Sequence, residues 1–245
     1  MKKIFITLAM TLFVMTAFSQ QIYNIKVSDR QDGVFEQYYG MIKVTGNVVN
    51  GMKDGSWVEN HPSSEMPHFI IQYKEDKKEG LYLELDKQGR LLKKVDYKND
   101  MIDGLNCVWK TNGLLSVKQE YKEGQLDGTS LIYNDNGFVQ EESQYRAGNR
   151  DGVTIWYAYA DKQQGPKYVM YTYQDGKFEG VQETYYEDGM VKTQKMFSNN
   201  IQNGPAIEYY EDGSVKSESN YKGGELKGKV KEYKKGERRT EKLKI

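Results

Sequence analysis

The chain has 245 residues, with 35 basic and 35 acidic side chains, two histidines and one cysteine. A mean hydropathy of −0.81 excludes a polytopic membrane protein, and a single cysteine excludes both a disulfide framework and a multi-cysteine zinc site. Twenty tyrosines and 24 glycines, with four alanines after residue 19 (Ala147, Ala158, Ala160 and Ala206), argue for strands and against a helix bundle.

Residues 1–19 read as a secretory signal peptide. Lys2 and Lys3 precede an uncharged, mostly apolar run from Ile4 to Phe18, and Ala17 and Ser19 supply the small residues of a cleavage site, so Gln20 opens the mature chain. The run is shorter than the ~20 residues of a spanning helix. The expectation is export, to a periplasm or to the outside. Residues 20–78 then form an N-terminal region of degenerate repeats. It is interrupted by Asn60–Phe69, a proline-containing break that holds both His61 and His68. Two loop histidines without a third defined ligand make a weak metal site, so none is expected. No cofactor is expected either.

From residue 79 to 236 the chain is a regular array. An acidic or polar residue followed by glycine recurs at Gly80, Gly104, Gly128, Gly152, Gly180, Gly204 and Gly228, at spacings of 24, 24, 24, 28, 24 and 24. With this glycine as position 0, a second glycine falls at +9 (Gly89, Gly113, Gly137, Gly189, Gly213). An aromatic falls at +17 (Tyr97, Tyr121, Tyr145, Phe197, Tyr221), and a Gly, Asn or Asp at +20. Position +5 is large and mostly aromatic, and +11 is Leu or Val. Each unit reads as two strands, about +1 to +6 and +10 to +18, joined by a three-residue turn ending in a left-handed glycine. The fold class expected is all-β: an elongated antiparallel meander of stacked hairpins. That turn puts +6 beside +10, +5 opposite +11 and, if the ladder continues unbroken, +3 opposite +13. The odd face then carries Leu81, Leu83, Leu85, Trp109 and Tyr133 as the apolar side, and the even face is wet.

Candidate contact residues follow from this reading. Tyr82, Trp156, Tyr186 and Tyr210 lie on the expected wet face, where a ring has no core role. The 28-residue unit adds four residues around Ala158–Lys167, which preserves strand parity and suits a hairpin longer by two residues per strand, with Tyr159 near its tip. Glu183 occupies +3 on the expected apolar face, beside Thr193 and Tyr171 with Lys195 diagonal, and an inward carboxylate requires partners. It is the only inward acid by this register, so paired-carboxylate chemistry has no second member. Cys107 replaces the aliphatics found at +3 elsewhere and reads as a small core residue. Gly223–Val230 approaches a phosphate-binding loop, but Val230 stands in place of Ser or Thr and the glycines are repeat positions.

Residues 227–245 carry a net charge of +6, against −8 for residues 20–226, and 237–245 form a basic C-terminal tail. Membrane contact is expected only through that tail, and the acidic body disfavours nucleic acid.

The unit Gly204-Pro205 through Tyr209, Gly213, Val215, Tyr221, Gly224 and Gly228 resembles the MORN repeat in its bacterial variant form, similar to the YwqK-type group often labelled antitoxin components. The resemblance covers about residues 79–236 well and 30–78 loosely. It implies hairpin arrays used for protein and sometimes lipid contacts, with no shared catalytic residues. The absence of a Tyr-x-Gly-x-Trp core departs from the eukaryotic form and weakens the lipid implication. The expected function is therefore a non-catalytic interaction or scaffold module of the envelope or secreted space, with a protein or other envelope component as partner. The alternatives are an envelope structural protein or a carbohydrate-active enzyme.

Overall fold

In the computed structural model, residues 22, 25–160 and 162–236 are described. The expected leader (1–19) and the tail (237–245) lie outside them. The strands are β1 (Gly33–Tyr39), β2 (Ile42–Val49), β3 (Met52–Asn60), β4 (Pro67–Lys74), β5 (Lys77–Leu85), β6 (Leu91–Lys98), β7 (Met101–Trp109), β8 (Leu115–Lys122) and β9 (Gln125–Tyr133). They continue as β10 (Val139–Arg146), β11 (Asn149–Tyr157), β12 (Lys167–Gln174), β13 (Lys177–Tyr185), β14 (Val191–Ser198), β15 (Ile201–Tyr209), β16 (Val215–Lys222), β17 (Glu225–Leu226) and β18 (Lys231–Glu232). Each strand from β1 to β16 pairs antiparallel with the next, and the short β17 and β18 share the outer edge of β16. The result is one open meander sheet of 18 strands, as the repeat predicts.

Two kinds of turn alternate. On one edge, the +6 amide donates to the +10 carbonyl, as in Asp86 N to Arg90 O at 3.0 Å, and Gly89 closes the turn at φ +77°. The expected pairs form in consequence: Trp109 opposite Leu115, Tyr133 opposite Val139, Tyr209 opposite Val215. On the other edge, two-residue turns such as Asn99-Asp100 put both central residues at positive φ, the type I′ geometry of tight hairpins. These turns stack. The +20 amide donates to a carbonyl of the preceding hairpin, as in Gly124 N to Ile102 O at 2.8 Å. In four repeats the acid before the repeat glycine takes the +19 amide: Glu79 from Asn99 (2.9 Å), Asp103 from Glu123 (3.2 Å), Asp127 from Ala147 (3.1 Å) and Glu179 from Asn199 (2.9 Å).

The ladder is not unbroken, and this corrects the expected register. One residue at +12 (Leu92, Ser116, Gln140, Lys192, Lys216) is extruded as a bulge, so +4 pairs with +13 and +3 with +14. A second irregularity joins neighbouring hairpins. Val95 pairs with Asn106 and Tyr97 with Ile102, leaving Asp96 alone opposite Asp103, Gly104 and Leu105. Gly104 has φ +120°, and a Cβ there would fall 2.8 Å from the Cβ of Asp96. The Asp96 carboxylate in turn accepts the Leu105 amide at 2.9 Å. Bulges bend a strand and sharpen its twist. Here they also exchange the faces of the second strand beyond +11.

The face expected to be wet therefore carries the core. Positions +2 and +15 pair strand after strand into one row: Trp57, Ile71, Tyr82, Val95, Asn106, Gln119, Ser130, Ser143, Thr154, Tyr171, Gln182, Lys195, Ala206 and Ser219. Trp57, Ile71, Val95, Ser143 and Thr154 are fully buried, and Tyr82 is 5 % exposed. The main hydrophobic cluster fills the N-terminal end of this face, where Ile22, Ile25 and Val27 pack with Phe35, Val44, Val48 and Trp57. Trp57 lies across Gly46, where an added Cβ would come within 2.2 Å of its ring. The odd face keeps Cys107 as a buried thiol, raised in pKa mainly by burial.

The 28-residue unit also departs from expectation. Its strands do not lengthen. Ala158 N bonds Pro166 O at 2.8 Å, which keeps the usual closing pair, so the four extra residues fall between these two positions and not in the strands. Pro166 lacks the N–H that a longer ladder needs.

Gly104→Ala is expected to lower stability by about 1–3 kcal/mol, because alanine is strained at this φ. The exposed Lys122→Ala should stay within about 0.5 kcal/mol. Urea denaturation of the full chain compares the two.

Candidate functional site

The re-phased register decides where each candidate residue sits. Tyr82 is in the core, within 6.0 Å of Phe69 and 6.3 Å of Tyr97 between ring centroids. Tyr186 and Tyr210 line the three-residue-turn edge. Their hydroxyls donate to the Tyr209 carbonyl (2.7 Å) and the Tyr233 carbonyl (3.0 Å) of the next repeat, so these rings have the structural role the sequence denied them. Tyr159 is 67 % exposed, but its hydroxyl accepts from Asn136 Nδ2 at 3.0 Å, and Gln164 bonds both the amide and the carbonyl of Val139. The insertion is thus folded onto the neighbouring turn.

Glu183 is on the odd face, but not among Thr193, Tyr171 and Lys195. The bulge places Gln194 opposite it in the hairpin and Met170 opposite it in the preceding strand. Tyr185 Oη donates to its Oε2 (2.5 Å) and Gln194 Nε2 to its Oε1 (2.6 Å), while Tyr209 Oη donates to Gln194 Oε1 (2.7 Å). Burial, followed by the hydrogen bond to Glu183, pushes the Tyr185 hydroxyl well above the usual tyrosine range. This chain belongs to a wider pattern in which a +5 tyrosine reaches +14 of the preceding repeat, as Tyr157 does to Glu142 (3.3 Å) and Tyr233 to Glu218 (3.2 Å).

Trp156 and Tyr171, in contrast, come together on the even face. Their rings meet edge to face at 5.5 Å, and Tyr171 stacks on Phe178 at 4.7 Å. Lys195 lies two strands further along the same row. Two residues that sequence reasoning missed organise this patch. Glu141 pairs directly with Trp156, accepts its indole N–H at 2.9 Å and the Ser143 hydroxyl at 2.7 Å, and forms an ion pair with Arg150. The Arg150 guanidinium lies over three rings, Tyr145, Trp156 and Tyr173, at 5.7, 5.4 and 5.8 Å. Trp156, Tyr171, Arg150 and Lys195 are all half-buried. The patch therefore offers aromatic surface, a shared cation and an oriented carboxylate on a rigid sheet, a combination suited to binding. Glu141 also corrects the expectation that Glu183 is the one inward acid.

The two histidines stack on each other, with ring centroids 4.3 Å apart, and His61 Nε2 bonds the Leu85 carbonyl at 3.0 Å. Among the described residues no group of three or more His, Cys, Asp or Glu is placed to hold a metal ion. Burial, and then the neighbouring His61, lowers the pKa of His68 to about 4. Unfolded, it takes up its proton near ~6.5. Between these values the unfolded chain binds more protons, so stability falls as pH drops through that window. Thermal melts from pH 7 to 4.5 should show a steeper loss for the native chain than for His68→Asn.

Compared with known families, residues 178–199 and 202–222, which span β13–β16, match the MORN repeat variant. No curated protein matches the chain.

Proposed function

We propose that the protein is a non-catalytic binding module of the cell envelope or secreted space that takes a protein partner on its aromatic even face. The observation that carries this reading is the Trp156–Tyr171 patch with its Glu141–Arg150 pair. Aromatic rings held on a rigid sheet give large contact area for few frozen torsions, and arginine beside them is typical of energetically dominant interface positions. The match to a repeat family built of hairpins supports a scaffold of this kind. The leader-like segment 1–19 supports export. In keeping with it, Ile22, two residues past the expected mature start, is fully buried.

The test is chemical cross-linking of the tagged protein in its native host, followed by recovery from the envelope and extracellular fractions. The native chain is expected to carry a discrete protein adduct. Tyr171→Ala combined with Lys195→Glu should lose that adduct, and a cooperative thermal melt, lowered by the lost ring contacts with Trp156 and Phe178, shows that the variant still folds. An unchanged adduct in a folded variant would place the contact elsewhere.

A further inference from the structure

The even face carries one binding event that is visible in the structure itself. Two charged side chains are buried at its N-terminal end, Lys53 and Glu59, at 7 % and 2 % exposure. Both reach the main chain of one residue: Lys53 Nζ donates to the Ile22 carbonyl (2.8 Å) and the Ile22 amide donates to Glu59 Oε2 (3.1 Å). Lys53 also lies over the rings of Trp57 and Tyr73, at 5.7 and 5.3 Å. A cation and an acid on an aromatic floor thus hold the amide and carbonyl of a chain segment, while Ile22, Ile25 and Val27 fill the apolar surface around them.

The Arg150 patch repeats this construction. Lys53 stands two residues before Gly55, and Arg150 two before Gly152. Tyr73 lies opposite Gly55, and Tyr173 opposite Gly152. Each cation covers one tryptophan and that tyrosine. The acid changes strand but keeps its level: Glu59 is at +4 of its repeat, and Glu141 is directly opposite +4 of the next. The difference lies in occupancy. At the first site the charged ends hold Ile22. At the second they close on each other. Arg150 Nε has no hydrogen-bond partner, and three donors fill Glu141, although a carboxylate accepts about four.

We infer that Glu141 and Arg150, with Trp156 and Tyr173 beneath them, form a second docking site for a peptide segment bearing aliphatic side chains, in a turn like that of Ile22, whose carbonyl also accepts from the Ile25 amide at 3.4 Å. The segment is supplied by the partner protein and held by its main-chain amide and carbonyl as Ile22 is held at the first site. The inference rests on the binding-module reading and adds the chemical class of what is bound.

The test uses the full mature chain, labelled with nitrogen-15, and a synthetic peptide of residues 20–32, the segment that includes the occupant of the first site. The Trp156 indole N–H, bonded to Glu141, reports on the second site, and the Trp57 indole N–H, bonded to the Asn47 carbonyl, reports on the first. Saturable movement of the Trp156 resonance with Trp57 still is the expected result. Glu141→Gln with Arg150→Met, which removes both charges together, should weaken the peptide about tenfold or more, a loss of at least ~1.4 kcal/mol. An unshifted Trp57 resonance in that variant shows that the fold survives. A motionless Trp156 at millimolar peptide, movement at Trp57 alone, or equal affinity in the double variant would each overturn the inference. If the peptide fails while the cross-linked adduct still depends on Tyr171 and Lys195, the module stands and only the peptide class is lost.

Discussion

The structure depends on where each repeat breaks its own ladder. One extruded residue at +12 and one tight crossing at the repeat glycine decide which side chains share a face. At the crossing, a residue such as Asp96 faces three residues, and its carboxylate satisfies the amide beside the glycine. A hairpin without these breaks would have the same turns and the same +5/+11 contacts. Its second strand would point the other way, and the central row from Trp57 to Ser219 would not exist. In four repeats the acid before the glycine then ties the type I′ turn to its neighbour. Among the described residues, adjacent hairpins are thereby locked edge to edge in one sheet.

Along that row the chemistry changes. Trp57, Ile71, Tyr82 and Val95 make an apolar end that the N-terminal segment covers, and the cluster reaches no further than Ile102. From Asn106 onward the row is polar or small except at Tyr171: Asn106 donates to Gln119 and Gln119 to Ser130. Rings at +17 flank it, each opposite a glycine. A single sheet thus has a closed end that anchors it and a partly open end that presents aromatic and charged groups to solvent.

Much of the fold was legible because turns write themselves in glycine. The +9 glycine marked the three-residue turn, and the match of +5 with +11 followed from that loop length together with the apolar pattern; the residues at +20 stood out in the repeat, but their type I′ turn was read only from the structure. The bulge was not legible, since Leu92, Ser116, Gln140, Lys192 and Lys216 share no property that marks an extra residue. The acid before Gly104 was visible as a motif, but its task concerns an amide twenty residues later, which only the stacked turns bring near. The site was half legible. Trp156 and Tyr171 were singled out, although for different faces. Glu141 and Arg150 sit at positions that vary among repeats. A cation two residues before the glycine recurs at Lys53, Lys78 and Arg150, and that recurrence marks Arg150; nothing comparable marks Glu141.

The central claim is the register beyond +11, and paired cysteines test it directly. Ser130 and Ser143 are partners across β9 and β10 in this structure. An unbroken ladder would pair Ser130 with Glu142 instead. Directly opposed residues lie within the ~4.4–6.8 Å Cα separation that a disulfide requires. In a Cys107→Ser background, Ser130→Cys with Ser143→Cys should oxidise readily, and Ser130→Cys with Glu142→Cys, whose side chains point to opposite faces, should not. The reverse outcome would contradict the face assignment and with it the placement of the Trp156 patch.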